Sequence, residues 1–312
     1  MKAIVVDQSA PLKLAFGELP EPKPEPNQAI VKVAAISLNR GEISYAPSTM
    51  PDGTSIGWDF AGTVEQPAGD GSGPKAGARV VGISSRKSFA EQVAAAASEM
   101  AELPGSVSFE EAATLPVAGL TAYFSLWHGG LLLGKKVLVT GATGGVGHFA
   151  VQLANLSGAH AVASVRRPDQ EQIAREAGAR DVAVGEDLAG ADAFGPYDLV
   201  VDGVGGKSLA NAMKLLNKHG LAVNYGFSGG DEITFNAGKF MQTGGARLYG
   251  LSAYAEMERE PAATGLALLS GLVAEGKLKP LIDTVRPWPE LLHAAQDLLD
   301  RKYPGKVVVT LG

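Results

Sequence analysis

The chain has 312 residues, of which 46% are hydrophobic and 19% charged, enough to bury at least one large core and most consistent with two domains. Its net charge of -6 gives no general attraction to nucleic acid or to anionic membranes, so neither is expected as a partner. The sequence contains no cysteine, which excludes disulfides, thiolate zinc sites and cysteine nucleophiles. No secretory leader pattern or membrane-length apolar run appears, so a cytoplasmic protein is expected.

Residues 1 to about 100 carry short β-rich runs separated by turns. Proline-rich stretches at 20–26 and 67–75 break any helix and predict surface loops. This part of the chain is therefore predicted to be an all-β lobe. Its expected strands cover residues 3–6, 12–16, 29–36, 57–64, 79–83 and 88–95.

The pattern changes at Ser108, which forms a capping box with Glu111 at the start of a helix. Pro116 then opens a second helix, which runs to Trp127. A domain boundary is placed here. Residues 113–251 are predicted to form one domain, and residues 1–112 together with 252–312 are predicted to form the other.

Strands alternate with helices in the predicted central domain. The expected strands are 137–140, 161–165, 181–184, 198–202, 221–226 and 246–251. This alternation predicts a parallel doubly wound sheet, an α/β fold. Helices at 261–275 and 289–301 follow, and a terminal strand at 306–311 is expected to return to the β-rich lobe. The active site is then expected in the cleft between the two domains.

A glycine-rich loop follows the first of these strands. Ala142 to Gly147 read A-x-G-x-x-G, with Ala142 where the fingerprint of dinucleotide-binding loops has its first glycine. Gly144, Gly145, Val146 and Gly147 are predicted to hold a pyrophosphate at the start of a helix. The alternative is a glycine-rich turn that serves packing only, but the βαβ setting favours the cofactor site.

Several motifs in order resemble the zinc-free quinone oxidoreductase group of the medium-chain dehydrogenase/reductase superfamily. They are MKAIVV at 1–6, SLNRGE at 37–42, GWDFAGTVE at 57–65, SFAEQVA at 88–94, AATLPVAGLTAY at 112–123, VLVTGATGGVG at 137–147, VVDGVGG at 200–206 and GKVVVTL at 305–311. The resemblance implies a GroES-like β-rich catalytic domain, a Rossmann domain and often a homodimer.

Zinc-dependent members of the superfamily carry a cysteine near the position of Asn39. They also carry Gly-His-Glu where this chain has Gly57, Trp58 and Asp59. The five histidines are scattered without metal-ligand spacing. We therefore expect no metal, and without this Lewis acid alcohol oxidation is disfavoured.

The second strand of the central domain ends in Ser164, Val165, Arg166 and Arg167. NAD-binding domains carry a carboxylate near this position, which would repel a 2′-phosphate, whereas Ser164, Arg166 and Arg167 can bind one. NADPH is therefore the expected cofactor. The alternative is that the arginines form only a solvated loop. Asp169 is a mild counter-signal, and Gln170 stands where relatives often carry a lysine.

The resemblance also implies which residues face the reacting groups. Asn39 and Tyr45 are expected to be catalytic, with Asn39 also contacting the cofactor, and Tyr45 is a candidate proton donor. Structural alternatives are an amide that binds backbone groups and a packed tyrosine. Thr121, Gly226, Phe227 and Leu251 are expected cofactor contacts, although Thr121 could instead bond back to its own helix.

The expected reaction is hydride transfer from NADPH to a quinone or an α,β-unsaturated carbonyl compound. Such a reaction mainly needs orientation of the two partners and stabilisation of the developing oxyanion. Two alternatives stay open: a redox-inert NADPH-binding sensor or structural protein, and an enoyl-thioester reductase.

Overall fold

The computed structural model describes residues 1–85 and 87–312, apart from the side chains of Tyr45 and Ala46. Its strands are β1 (Lys2–Val6), β2 (Leu14–Glu18), β3 (Gln28–Ser37), β4 (Asp59–Gln66), β5 (Arg79–Ile83), β6 (Gln92–Ala96), β7 (Met100–Glu102), β8 (Lys136–Val139), β9 (His160–Val165), β10 (Asp181–Val184), β11 (Tyr197–Asp202), β12 (Leu216–Asn224), β13 (Arg247–Gly250), β14 (Ile282–Pro287) and β15 (Lys306–Thr310).

The α-helices are α1 (Ala46–Thr49), α2 (Phe109–Ala113), α3 (Leu120–Trp127), α4 (Gly145–Leu156), α5 (Glu171–Glu176), α6 (Gly206–Lys214), α7 (Ala237–Thr243), α8 (Ala253–Met257), α9 (Ala262–Ala274) and α10 (Leu291–Leu299). Two π-helical turns, Gly41–Tyr45 and Leu115–Gly119, supplement them. None of the described helices is long and apolar enough to cross a membrane.

The chain divides into two compact units, residues 1–120 with 259–312 and residues 121–258. The sequence placed these divisions at 112/113 and 251/252. The predicted capping box is present, because the Ser108 hydroxyl accepts the Glu111 N–H at 3.1 Å and the Glu111 carboxylate accepts the Ser108 N–H at 3.0 Å. Both α2 and the π-helical turn that contains Pro116 belong to the first unit.

The first unit contains a seven-stranded sheet in the order β14-β15-β3-β4-β5-β7, with β6 also paired to β3. Its pairs are antiparallel except for β14 and β15. The terminal strand β15 pairs with β3 and so returns to the β-rich lobe, as the sequence predicted. Phe60 and Phe89 are among the fully buried side chains in the hydrophobic core of this unit.

Two strands of this unit, β7 and β14, were missed by the sequence analysis. β7 has only three residues, too few for a periodic pattern. β14 ends its sheet and alternates half-buried with exposed residues, including Asp283, Arg286 and Pro287. Its polar composition resembles a loop, and only the parallel pairing with β15 defines it as a strand.

The second unit contains a six-stranded, fully parallel sheet in the order β10-β9-β8-β11-β12-β13. This is the doubly wound order, in which the first strand, β8, lies centrally. Strands are added on one side of β8 up to β10 and then on its other side from β11 onwards. Val137, Leu138 and Val139 of β8 are completely buried, because both faces of such a sheet are covered. The predicted fold class is confirmed.

Candidate functional site

The loop between β8 and α4 brings the predicted glycines to the carboxyl edge of the parallel sheet. Gly141 has a φ of 57°, and a Cβ on Gly147 would lie 2.3 Å from the Gly141 carbonyl oxygen, so the loop requires glycine at both positions. Gly144 is the N-cap of α4. The N–H groups of Gly145, Val146 and Gly147 therefore begin the helix without helical acceptors, an arrangement that suits an anion.

Ser164, Arg166 and Arg167 lie at the carboxyl end of β9, the strand beside β8. Ser164 is buried, whereas both arginines are exposed. The Arg167 guanidinium forms an ion pair with Asp169, with 3.0 Å between Nε and Oδ1. The Gln170 side chain accepts the backbone N–H groups of both arginines at 3.2 Å. Arg166 forms no ion pair within the described residues, which leaves its charge available to a ligand.

A polar network that the sequence analysis missed connects the carboxyl ends of β8, β11 and β12. We call Thr140, Asp202 and Asn224 the strand-end cluster. The buried Asp202 carboxylate accepts hydrogen bonds from Thr140 Oγ1 at 2.7 Å, the Gly205 N–H at 2.8 Å and Asn224 Nδ2 at 2.9 Å. Burial raises the pKa of Asp202 above its ordinary value even though these donors oppose the shift. The cluster fixes the loop that precedes α6.

Of the remaining cofactor candidates of the second unit, Gly226 and Leu251 follow β12 and β13 at this edge. The Asn224 amide also donates to the Gly226 carbonyl at 2.7 Å, and the Leu251 N–H donates to the Asn224 carbonyl at 2.8 Å. Thr121 is buried on α3. Phe227, whose side chain is 59% exposed, lines a cavity of about 180 Å³. Other residues around this cavity include Gly205, Leu209, Asn224, Ile233 and Leu248.

Asn39 lies in the first unit, in a buried polar network around β3, β4 and β15. We call Glu42, Asp59 and Lys306 the carboxylate–lysine cluster; their exposed fractions are 0%, 0% and 3%. Asn39 Nδ2 donates to Glu42 Oε1 at 3.0 Å and to Asp59 Oδ2 at 2.8 Å, while Asn39 Oδ1 accepts from Lys306 Nζ at 2.5 Å. Both amide hydrogens of Asn39 are therefore held by the protein's own carboxylates.

The cluster contains two carboxylates for one ammonium group. Asp59 also accepts from Ser37 Oγ at 2.7 Å and the Val117 N–H at 2.9 Å, and its Oδ2 lies 3.5 Å from Lys306 Nζ. Burial and the Asp59 charge raise the pKa of Glu42 to about 8, against the opposing effect of Lys306. Burial likewise lowers the pKa of Lys306. Glu42 can therefore change charge near pH 8.

The side chain of Tyr45, the second catalytic candidate, lies outside the described residues. The sequence analysis singled out neither Glu42 nor Lys306. A usable signal was present, because Lys306 opens an otherwise apolar terminal strand and Glu42 ends the SLNRGE motif. An ionisable residue inside an apolar strand is costly unless it is paired, so it indicates a buried partner.

Comparison with known proteins agrees with this architecture. Residues 25–124 match the family described as alcohol dehydrogenase GroES-like domain, and residues 145–269 match the family described as zinc-binding dehydrogenase. The Arabidopsis thaliana chloroplast envelope quinone oxidoreductase homolog is 32% identical over 94% of this chain and 92% of its own length.

Solved structures show the same likeness over the whole chain. A quinone oxidoreductase from Coxiella burnetii is 28% identical, with a TM-score of 0.83 over 100% of this chain and 99% of its own. A mycobacterial protein complexed with NADPH is 26% identical, with a TM-score of 0.88 over 100% of both chains.

The antiparallel unit, the parallel unit and their matching families define a medium-chain dehydrogenase/reductase. Within that superfamily the chain belongs to the quinone oxidoreductase group, a group of oxidoreductases. The GroES-like and Rossmann domains implied by the sequence resemblance are confirmed.

The residues at the zinc-ligand places of the superfamily do not fit a zinc ion. Asn39 and Asp59 are occupied by hydrogen bonds from the chain itself, and the Lys306 ammonium already supplies the positive charge beside them. Within the described residues, no three histidine, aspartate or glutamate side chains are grouped to hold a metal. We therefore derive no chemistry from zinc.

Proposed function

We propose that this chain is an NADPH-dependent oxidoreductase that transfers hydride to a quinone or an α,β-unsaturated carbonyl compound without a metal. The observation that carries the proposal is the sheet edge of the second unit, where the glycine loop lies beside Ser164 and beside Arg166, which forms no ion pair with any described residue. The nearby Asp169 is paired with Arg167, which reduces its repulsion of a 2′-phosphate. The solved mycobacterial relative complexed with NADPH supports the same cofactor.

The bound cofactor supplies the hydride, and the chain's residues hold and orient it. The first-turn N–H groups of α4 suit the pyrophosphate, and Arg166 with Ser164 suits the 2′-phosphate. The strand-end cluster holds the loops that carry Gly205 and Gly226 in place. Thr121, Phe227 and Leu251 are proposed to complete the cofactor site.

On the substrate side, we propose Asn39 and Tyr45 as the residues that face the acceptor. The carboxylate–lysine cluster holds the Asn39 amide, so Asn39 is proposed to shape the loop that faces the acceptor and not to move a proton. Hydride addition to an already electrophilic carbon needs no Lewis acid. This is consistent with Lys306, rather than a metal, lying beside Asn39 and Asp59.

We also propose that the chain forms a homodimer. β13 pairs with β12 along one edge, and no described strand pairs with its other edge. An unpaired strand edge offers backbone N–H and C=O groups to another chain. Leu248, an apolar residue of this edge strand, is 40% exposed. Light scattering of the purified protein should give twice the mass of the chain; a monomer at micromolar concentration contradicts the dimer.

The test of function is a turnover panel that follows NADPH and NADH oxidation with quinones, alkenals, cyclic enones and enoyl thioesters. We expect NADPH to be preferred, conjugated acceptors to be reduced and activity to survive exhaustive chelation. Binding without turnover of any acceptor would indicate the redox-inert alternative, and thioester reduction alone would indicate the enoyl-thioester alternative. Loss of turnover when stoichiometric zinc is removed would contradict the metal-free proposal.

Cofactor preference is tested separately by titration of an Arg166→Ala variant. Removing this guanidinium should weaken NADPH binding by about tenfold or more, since a charge-assisted hydrogen bond contributes about 1.5–3 kcal/mol. NADH binding should change little. Arg180→Ala is the matched control. Arg180 is also exposed, but it precedes β10 and so lies at the amino edge of the sheet, away from the carboxyl edge that carries the glycine loop. Equal affinities of the wild type for NADPH and NADH would contradict the preference.

A further inference from the structure

Tyr225 lies at the carboxyl edge of the parallel sheet, directly after β12. Its ring packs on the Cα of Gly203, the residue that directly follows β11. A Cβ added to Gly203 would lie 2.5 Å from ring atoms Cε2 and Cζ and from the hydroxyl oxygen. The side chain can occupy this place only because residue 203 is glycine.

Gly203 is itself held on both sides. Its N–H donates to Thr140 Oγ1 at 3.2 Å, and its carbonyl accepts the Ser228 hydroxyl at 3.1 Å. The Tyr225 N–H donates to the Asp202 carbonyl at 2.9 Å. The platform beneath the Tyr225 ring is therefore rigid, and it extends from the strand-end cluster.

The Tyr225 hydroxyl has no hydrogen-bond partner within the described residues, although the side chain is partly buried. Burial and the nearby Asp202 carboxylate raise the pKa of Tyr225 above its ordinary value, so the phenol keeps its proton at neutral and moderately alkaline pH. The hydroxyl is open to solvent, since it is not among the fully shielded polar atoms that lack a partner. A ligand oxygen at this edge can therefore take the place of water as its acceptor.

The position of Tyr225 in the sheet indicates which part of a dinucleotide it would meet. In a doubly wound sheet, the pyrophosphate lies at the first loop and the adenosine ribose lies over the second strand. Here these are the loop after β8 and the end of β9. The other half of the dinucleotide therefore extends across β8 towards the ends of β11 and β12, where Gly203 and Tyr225 lie.

We propose that the Tyr225 hydroxyl donates a hydrogen bond to an oxygen of the nicotinamide half of the cofactor, its ribose or its carboxamide. Tyr225 is then a binding residue for the half of the cofactor that carries the hydride. This inference rests on the proposed function, which places a nicotinamide dinucleotide at this edge.

The test compares Tyr225→Phe with wild type by calorimetric titration of NADPH and of adenosine 2′,5′-bisphosphate, a fragment without the nicotinamide half. Phenylalanine keeps the ring on Gly203 and removes only the hydroxyl. We expect NADPH binding to weaken about threefold to tenfold, as for one neutral hydrogen bond, and fragment binding to stay unchanged. Thermal melting checks that the variant is folded.

Two variants serve as controls. Arg166→Ala should weaken NADPH and the fragment together, because it removes a contact to the adenosine half. Tyr303→Phe removes a phenol that bonds Asp297 in the first unit, at 2.8 Å, and should leave both affinities unchanged.

The outcomes separate this inference from the proposed function. Wild-type protein that binds no nicotinamide nucleotide overturns both. If wild type binds NADH rather than NADPH, the preference fails, and the same comparison is made with NADH and ADP. Unchanged dinucleotide binding by Tyr225→Phe, or equal weakening of dinucleotide and fragment, overturns the role of Tyr225 alone.

Discussion

Replacing Asp59 by Asn is expected to destabilise the first unit strongly, although the two side chains have nearly the same shape. The Asp59 carboxylate accepts from Ser37, Asn39 and Val117 and lies 3.5 Å from Lys306 Nζ. An amide leaves one acceptor oxygen for Val117 and turns an NH₂ group towards the donors of Asn39 and Lys306. The new NH₂ group then faces the N–H groups of Asn39 and Lys306, which the carboxylate had accepted.

The magnitude follows from burial. Asp59 is completely buried and Lys306 is 3% exposed, so water cannot replace the lost charge. Breaking a buried ion pair by removing one partner costs about 3–5 kcal/mol. Lys306 keeps the Asn39 Oδ1 and Leu38 carbonyl acceptors and the charge interaction with Glu42, which places the expected loss near the lower end, about 3 kcal/mol. That is a large share of the roughly 5–15 kcal/mol that typically stabilises a folded domain.

The measurement is urea unfolding followed by tryptophan fluorescence, since Trp58 directly precedes Asp59 and its backbone N–H donates to Glu42. Asp70→Asn is the control, because Asp70 is exposed and bonded only to its own loop, and it should have no measurable effect. Adding Lys306→Met to Asp59→Asn should recover part of the loss by removing the ammonium group that Asp59 had neutralised. A loss below about 1 kcal/mol for Asp59→Asn would refute the buried ion pair.

Two further predictions concern pH and the glycine loop. The pKa of Glu42 is raised from 4.5 to about 8, so the stability that its proton contributes is fully present below pH 4.5 and is lost as pH rises through about 8. Glu42→Gln should therefore flatten the plot of unfolding free energy against pH. An unchanged slope would contradict this. Gly147→Ala places a Cβ 2.3 Å from the Gly141 carbonyl oxygen, so it should lower the free energy of unfolding by about 1–3 kcal/mol and weaken NADPH binding. Gly271→Ala, with open space around the added Cβ, should do neither. Wild-type NADPH affinity in Gly147→Ala would show that the loop does not hold the cofactor.

Local patterns in the sequence determined the parallel sheet and its glycine loop. The strands β8 to β11 are short, mostly apolar runs, each followed by a turn or helix start, and such signals need only neighbouring residues. The glycine spacing of Ala142 to Gly147 likewise reflects a local requirement, the close approach of Gly147 to Gly141. Short β-rich runs likewise predicted the β-rich lobe and the return of the terminal strand to it, whereas its pairing with β3, across almost the whole chain, is known only from the structure.

Tertiary structure alone decided how the polar groups are used. Lys306 lies 267 residues after Asn39 and yet bonds its amide, and Asp59 joins them from a third strand. The partners of a buried charge come from wherever the sheet register places them, so sequence spacing does not reveal them. The same applies to Tyr225, whose place depends on Gly203 of the neighbouring strand end, and to β14, which is a strand only because β15 lies beside it. Hydrogen bonds and burial between distant segments, rather than local propensity, set these features.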